Sequence, residues 1–155
     1  MRLIIIATLV LTAGVCLAQT TGYAPVRAEL EGGTTVYSVT TPVFETTADA
    51  TYQTERYGPD FTYIFHGLPP GPARLKLGFC ENRYDRRGQR VFDVALQDKR
   101  VLERFDVVRE AGGANRSIVR VFQGVPVAGQ LRIRLDPSAA REPVLCGLEL
   151  IEETP

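Results

Sequence analysis

The sequence predicts an all-β fold, an antiparallel sandwich or barrel, and three observations support it. Apolar residues recur at every second position in short runs, the spacing of strands with one buried face. Turn residues separate those runs, and ten prolines with fourteen glycines give each connection its own stop. Helical periodicity is nearly absent. Short strands at regular spacing with turns between them are the pattern of sandwiches and barrels.

The elements follow in chain order. Phe61, Tyr63 and Phe65 form the first apolar row, and Gly67-Leu68-Pro69-Pro70-Gly71 is expected to close it. Leu75, Leu77 and Phe79 alternate with Lys76 and Gly78, and Phe92, Val94 and Leu96 do the same with Asp93 pointing away. Ile118 to Phe122 is a further strand. Leu131, Ile133 and Leu135 alternate with Arg132 and Arg134 in the clearest pattern of the chain, and Leu148 to Ile151 completes the set. The one weakly helical stretch is a turn around Ser138 to Arg141, after Asp136-Pro137. There is no internal repeat, low-complexity tract or linker, so a single domain over residues 19–155 follows.

Residues 1–18 are expected to be a signal peptide. Arg2 supplies the positive start, and Leu3 to Leu11 is apolar apart from Thr8. Cys16 and Ala18 put small residues where a signal peptidase reads, so cleavage is expected before Gln19. A retained anchor is the alternative, but the run is short against the ~20 residues a bilayer core requires. A lipid on Cys16 is a third, disfavoured by Val15 directly before it. No other segment is long and apolar enough to span a membrane. The mature protein is therefore expected to be soluble and secreted, periplasmic or otherwise extracytoplasmic.

Composition narrows the function. Of the 155 residues 45% are hydrophobic and 23% charged, an ordinary globular balance, and a chain of this length buries roughly two-thirds of its unfolded surface. Lys and Arg number 18, as do Asp and Glu, so no net field draws nucleic acid or anionic lipid. Export leaves Cys80 and Cys146 in an oxidising compartment, where they form either a disulfide or two separate buried thiols.

Catalytic signals are missing. His66 is the only histidine, which leaves one candidate for a triad and none for a multi-histidine zinc site. It precedes Gly67 and reads as a surface or edge residue. No GxSxG, GxGxxG or phosphate-cradling loop occurs, and Gly112-Gly113 reads as a turn. Glu81, Asp93 and Asp106 are the carboxylates a glycosidase would use, but their positions suit solvated faces or turn-stabilising hydrogen bonds equally well. A non-enzyme without cofactor or metal is expected. Binding has more support: Tyr52, Tyr57, Tyr63 and Tyr84, with Arg56 and Arg83, fall near predicted strand ends. A tyrosine offers a flat apolar face to a sugar ring and a hydroxyl to its hydroxyls, and arginine adds a fork of donors. Tyr63, between Phe61 and Phe65, is expected in the core. Tyr57 and Tyr84 are expected on exposed loops.

Several segments resemble the malectin family. Tyr52 to Gly58 (YQTERYG), followed by Phe61 and Tyr63, is similar to its YQTERY segment. Leu75 to Glu81 (LKLGFCE) resembles its L-x-F-A-E strand with Cys80 for the alanine, and Gly88 to Val94 (GQRVFDV) its R/K-V-F-D-V strand. Phe105-Asp106-Val107 resembles the family's next turn, and Pro143 to Glu149 (PVLCGLE) its last strand. The matches keep the family's order over about Tyr52 to Glu152. The resemblance implies a jelly-roll-like, galactose-binding-domain-like β-sandwich that binds carbohydrate, glucose-containing disaccharides being malectin's own ligands.

The resemblance also implies a site, and the departures lie within it. Tyr57 matches the tyrosine that ends YQTERY. Arg83 and Tyr84 fall where the family has a Tyr-Phe pair, Arg141 where it has an aspartate, and Tyr37 is a loose match for a first aromatic. A guanidinium cannot accept a hydrogen bond from a sugar hydroxyl, so the change at Arg141 turns an acceptor into a donor. The expected function is a carbohydrate-binding module with an oligosaccharide partner. A protein-interaction domain on the same scaffold is the alternative, since one fold hosts many functions.

Overall fold

The computed structural model describes residues 54–153, together with Ile4–Ile5, Leu17–Ala18, Val26–Gly32 and Thr35–Ser38. Eleven strands and one short helix make up these residues. In chain order they are β1 (Ile4–Ile5), β2 (Leu17–Ala18), β3 (Val26–Gly32), β4 (Thr35–Ser38), β5 (Thr54–Tyr57) and β6 (Phe61–Cys80). Then come β7 (Phe92–Leu96), β8 (Lys99–Phe105), α1 (Val107–Ala111), β9 (Ser117–Pro137), β10 (Val144–Leu145) and β11 (Gly147–Glu152). Every pairing is antiparallel. The larger sheet runs β1-β11-β6-β9-β7-β8, with β3 on β6 and β2 on β3, and the smaller runs β10-β5-β4. The β-sandwich expected from the sequence is the fold observed.

The alternating rows fill the interior. Leu75, Leu77, Phe79, Phe92, Val94, Leu131, Ile133 and Leu135 are fully buried, while Arg132 and Arg134 between them are exposed. Tyr63 is buried as expected and meets Phe61 edge-on at 5.8 Å. Phe79, Phe92 and Phe105 form a triangle of rings with centroids 4.9–5.9 Å apart, the offset and edge-on arrangement that ring quadrupoles favour. Val144 and Leu145 of the small sheet join this same core, which holds the two sheets together.

Two sequence expectations need correction, and two elements carry no mark in the sequence. Gly67 to Gly71 does not close a strand: β6 continues through it for 20 residues, paired with the 21 residues of β9. Its turn residues produce register shifts between His66 and Leu68 and between Leu68 and Gly71. A proline that lacks an N–H is accommodated where the ladder is already interrupted. Ser138 to Arg141 is bent but not helical. The helix is α1, capped by Asp106, whose Oδ1 accepts from the Arg109 amide at 3.2 Å, and ended by Gly112 at φ 79°. Five residues with two buried valines are too few for a helical period to be legible. β8 was likewise unmarked, since only Phe105 of its seven residues is buried.

Most of the 1–18 segment lies outside the described residues. Within it, Ile4–Ile5 pairs with Leu150 and Ile151, and Leu17–Ala18 with Val26 and Arg27.

Candidate functional site

The site is built at one end of the sandwich, where the small sheet meets the chain leaving β6. Glu55 and Tyr57 sit two apart on β5 and so share a face. β10 lies beside them with Val144 opposite Tyr57, which brings the preceding residues, Arg141 among them, to the same end. Glu81 follows β6 directly, fully buried, and its Oε1 accepts from the amides of Arg83 at 2.9 Å and Tyr84 at 3.1 Å. Those two bonds curl the chain back on itself. Asp106 steadies the far side of the loop by accepting from the Gly88 amide at 2.5 Å, and the Ser138 amide donates to the Val91 carbonyl at 2.9 Å.

The result is a set of tyrosines with guanidinium groups against their rings. Arg83 Cζ lies 3.9 Å from the centroid of Tyr57. Arg90 and Arg141 lie 4.9 and 5.0 Å from that of Tyr84. Such contacts combine stacking with attraction to the ring quadrupole. Tyr57 and Tyr84 are therefore half-buried, where exposed rings were expected, because arginine covers part of each.

Beneath them lies a buried charge cluster. Arg90 is 2% exposed, and its Nη1 stands 3.0 Å from Glu81 Oε2. None of its three nitrogens has hydrogen-bond geometry, so the charge of Glu81 and the ring of Tyr84 are what offset its desolvation. Glu55 is 1% exposed and meets Arg83 Nε at 3.4 Å. Burial pushes its carboxyl up to about 7; Arg90 opposes that rise, Glu81 adds to it, and Arg83 with Asn82 opposes it again. Burial raises Glu81 as well, against Arg90 and the two amides that it accepts.

The structure brings together four of the five residues expected at a site. Arg83 lies against Tyr57 and Arg141 against Tyr84, and the two pairs meet where Arg83 and Tyr84 are neighbours in the chain. Tyr37 lies on β4 opposite Glu55 in the ladder, and its side chain is outside the described residues, as is Tyr52. Arg56 is turned to other work, donating to the Gly32 carbonyl at 3.3 Å. Cys80 and Cys146 are held as free, buried thiols. Cys146 Sγ donates to the Cys80 carbonyl at 3.7 Å and Cys80 Sγ to Asn82 Oδ1 at 3.1 Å. Burial pushes Cys80 up to about 12 and Cys146 well above the ordinary thiol range, which keeps thiolate out of reach at neutral pH.

His66 is not at a strand end: β6 continues past it, and its Nε2 is 3.1 Å from Glu29 Oε2 on β3. Of the three candidate catalytic carboxylates, Glu81 and Asp106 are buried in turn-stabilising roles and not on solvated faces. Asp93 accepts from the Arg104 amide at 2.8 Å and from the Ser138 hydroxyl.

Glu55 and Arg90 were missed as members of the site, and Glu81 was weighed only as a catalytic carboxylate. The signal was partial. Each is a charged residue within a quoted segment: Glu55 in YQTERYG, Glu81 at the end of LKLGFCE, Arg90 in GQRVFDV. Each segment also holds a second charge, Arg56, Lys76 or Asp93, that is only half-buried, so charge within a strand motif does not by itself mark the cluster.

With this geometry the chain can be compared with known proteins. The Malectin domain family model matches residues 19–144, and the chain belongs to that family. It is 38% identical over 80 residues to a probable leucine-rich repeat receptor-like serine/threonine-protein kinase of Arabidopsis thaliana, a match over 48% of this chain and 8% of the kinase. A second probable receptor kinase of that plant is 33% identical over 91 residues, or 54% and 9% of the two chains. Among solved structures, the plant receptor-like kinase ANX2 aligns over 82% of this chain and 40% of its own, at 17% identity and TM-score 0.71. Bacteroides uniformis β-glucuronidase 2 aligns over 83% and 14%, at 19% identity and TM-score 0.71. The chain thus spans less than a tenth of each of these two kinases. No helix among the described residues is long and apolar enough to cross a membrane.

Proposed function

We propose that this chain is an exported, non-catalytic carbohydrate-binding module whose site is formed by Tyr57, Tyr84, Arg83 and Arg141, with Tyr37 at its margin. The observation that carries the reading is the convergence of the two tyrosine–arginine pairs at one end of the sandwich, on the residues that the malectin resemblance implies for the site. Tyrosine edges and guanidinium N–H groups together give the apolar contact and directed donors that a saccharide requires. Export is supported by the family match beginning at residue 19, where cleavage is expected. A binding role is supported by the burial of the carboxylates nearest the site: Glu55 and Glu81 are sealed and ion-paired, and neither is open to a glycosidic oxygen or an attacking water.

A glycan array probed with the exported protein tests this. Retention of one saccharide class is expected, lost on Tyr57→Ala and Tyr84→Ala. An array with no retained glycan rejects the reading.

A second reading, a protein-interaction domain, has its own observation. Val119 and Val121 are 43% and 49% exposed in the first part of β9, which pairs there with β6 on one side. Exposed apolar residues beside an open strand edge suit a protein partner. A Val119→Lys, Val121→Lys variant that loses a partner while keeping glycan would separate this role from the first.

A further inference from the structure

The three guanidiniums at the tyrosines differ in what already occupies them. Arg90 is sealed and sits against Glu81. Arg83 is 24% exposed at the side chain, with its Nε toward Glu55 and its plane near the Tyr57 ring. Arg141 is exposed, and its one described contact is the ring of Tyr84. No described carboxylate lies within ion-pair distance of it, although Glu142 is its neighbour in sequence. The carboxylates of this cluster are inside and the accessible guanidiniums outside. The loop extends that asymmetry with Arg86 and Arg87, both exposed, against Asp85, which is 4.0 Å from Arg86.

Stacking matters to what these groups can bind. An arginine laid against a ring has restricted rotamers, yet the N–H groups on its edge stay open. That edge matches the two oxygens of a carboxylate, and pre-ordering lowers the entropy lost on binding. A neutral sugar ring meets the opposite situation. The faces it would stack upon are partly covered, at 3.9 Å for Tyr57 and about 5 Å for Tyr84, and a guanidinium accepts nothing from its hydroxyls.

We infer that the ligand is an acidic saccharide, a uronic-acid sugar whose carboxylate is taken by the guanidinium edge of Arg141 while Tyr84 meets its ring. The inference rests on the carbohydrate reading above and adds the charge of the ligand.

Calorimetric titration of the exported protein tests it, using maltose and cellobiose, each beside its uronic-acid counterpart in which one hydroxymethyl group is a carboxylate. At low salt the acidic member of at least one pair is expected to bind at least roughly ten-fold more tightly, as one charge-assisted contact implies. The gap should narrow in high salt as the pair is screened. In Arg141→Gln, whose side chain is exposed and whose thermal midpoint serves as the folding control, the acid-to-neutral ratio should fall toward one. Arg141→Lys should retain part of it, keeping the charge but losing the fork. Neutral and acidic sugars bound equally would overturn the inference and leave the carbohydrate reading standing. An undiminished ratio in Arg141→Gln would overturn the assigned residue. If no member of either pair binds, the inference and the reading fall together.

Discussion

Two buried regions meet at the end of β6, and they are made by opposite means. The triangle of Phe79, Phe92 and Phe105 is apolar, close-packed and continuous with the rows of leucine and isoleucine behind it. A few residues along, Glu55, Glu81 and Arg90 are just as buried but charged. The hydrophobic effect is non-directional, so any well-fitting apolar set stabilises the first region. Charges out of water need partners at the right angle, and Arg90 has nitrogens without them. One region stabilises the fold. The other fixes geometry: Glu81 accepts from the Arg83 and Tyr84 amides and so holds the loop that carries both.

The largest effect should come from the apolar side. Phe79→Ala removes the ring shared by both other phenylalanines and should cost about 4 kcal/mol in transfer and cavity terms. Denaturant unfolding would show this as a lower midpoint at unchanged slope. A loss below about 1 kcal/mol would mean that the triangle collapses onto the cavity and the contrast with the charged region is weaker than drawn.

The charged region should reveal itself through pH. Glu55 has a folded pKa of about 7 against an ordinary value of 4.5, so the folded protein holds a proton that the unfolded chain releases earlier. Its contribution is favourable at and below about pH 4.5 and is lost as pH rises through about 7. The difference amounts to roughly 3 kcal/mol at 1.36 kcal/mol per pKa unit. Glu81 shifts in the same direction. Asp93 is lowered: burial is the largest single effect and raises it, but the bonds from Ser138 and the Arg104 amide, with the charges of Arg100 and Arg104, together outweigh that, so its contribution is lost in acid instead. The expected observation is a wild-type melting temperature that falls between pH 5 and pH 8, and a flatter profile for Glu55→Gln. Parallel profiles would show that Glu55 titrates as an ordinary carboxylate.

The smallest effect sharpens the same contrast. Lys76 and Glu149 form a pair at 3.1 Å whose side chains are a third exposed. Lys76→Ala should cost no more than about 0.5 kcal/mol, since solvent already screens the pair. A larger loss, measured by denaturant midpoint, would mean that charge pairs on this sheet are coupled to its packing.

The site was legible in part. Tyr57, Arg83, Tyr84 and Arg141 could be picked out because the resemblance to the family points to each, and the structure pairs Arg83 with Tyr57 and Arg141 with Tyr84. That arginines would cover the tyrosines could not be read, since Arg83 reaches Tyr57 from the loop after β6 and Arg141 reaches Tyr84 from the chain before β10. Glu55 and Arg90 belong to the same case. Each looks like a surface charge in its own segment, and burial becomes visible only when three distant segments are brought together.

By itself the sequence determined what depends on local period. Leu75-Leu77-Phe79 and Leu131-Ile133-Leu135 could only be strands with one face inward, because side chains alternate at every residue whatever the partner strand is. The tertiary structure decided what depends on partners. Gly67 to Gly71 contains the residues of a turn, yet in β6 it bends without stopping, because β9 follows it on the other side with Gly124 and Gly129 at positive φ. Whether such a stretch ends a strand or bulges within one depends on whether a second strand satisfies its remaining N–H and C=O groups. That strand lies some sixty residues away in the chain, and no local pattern contains it.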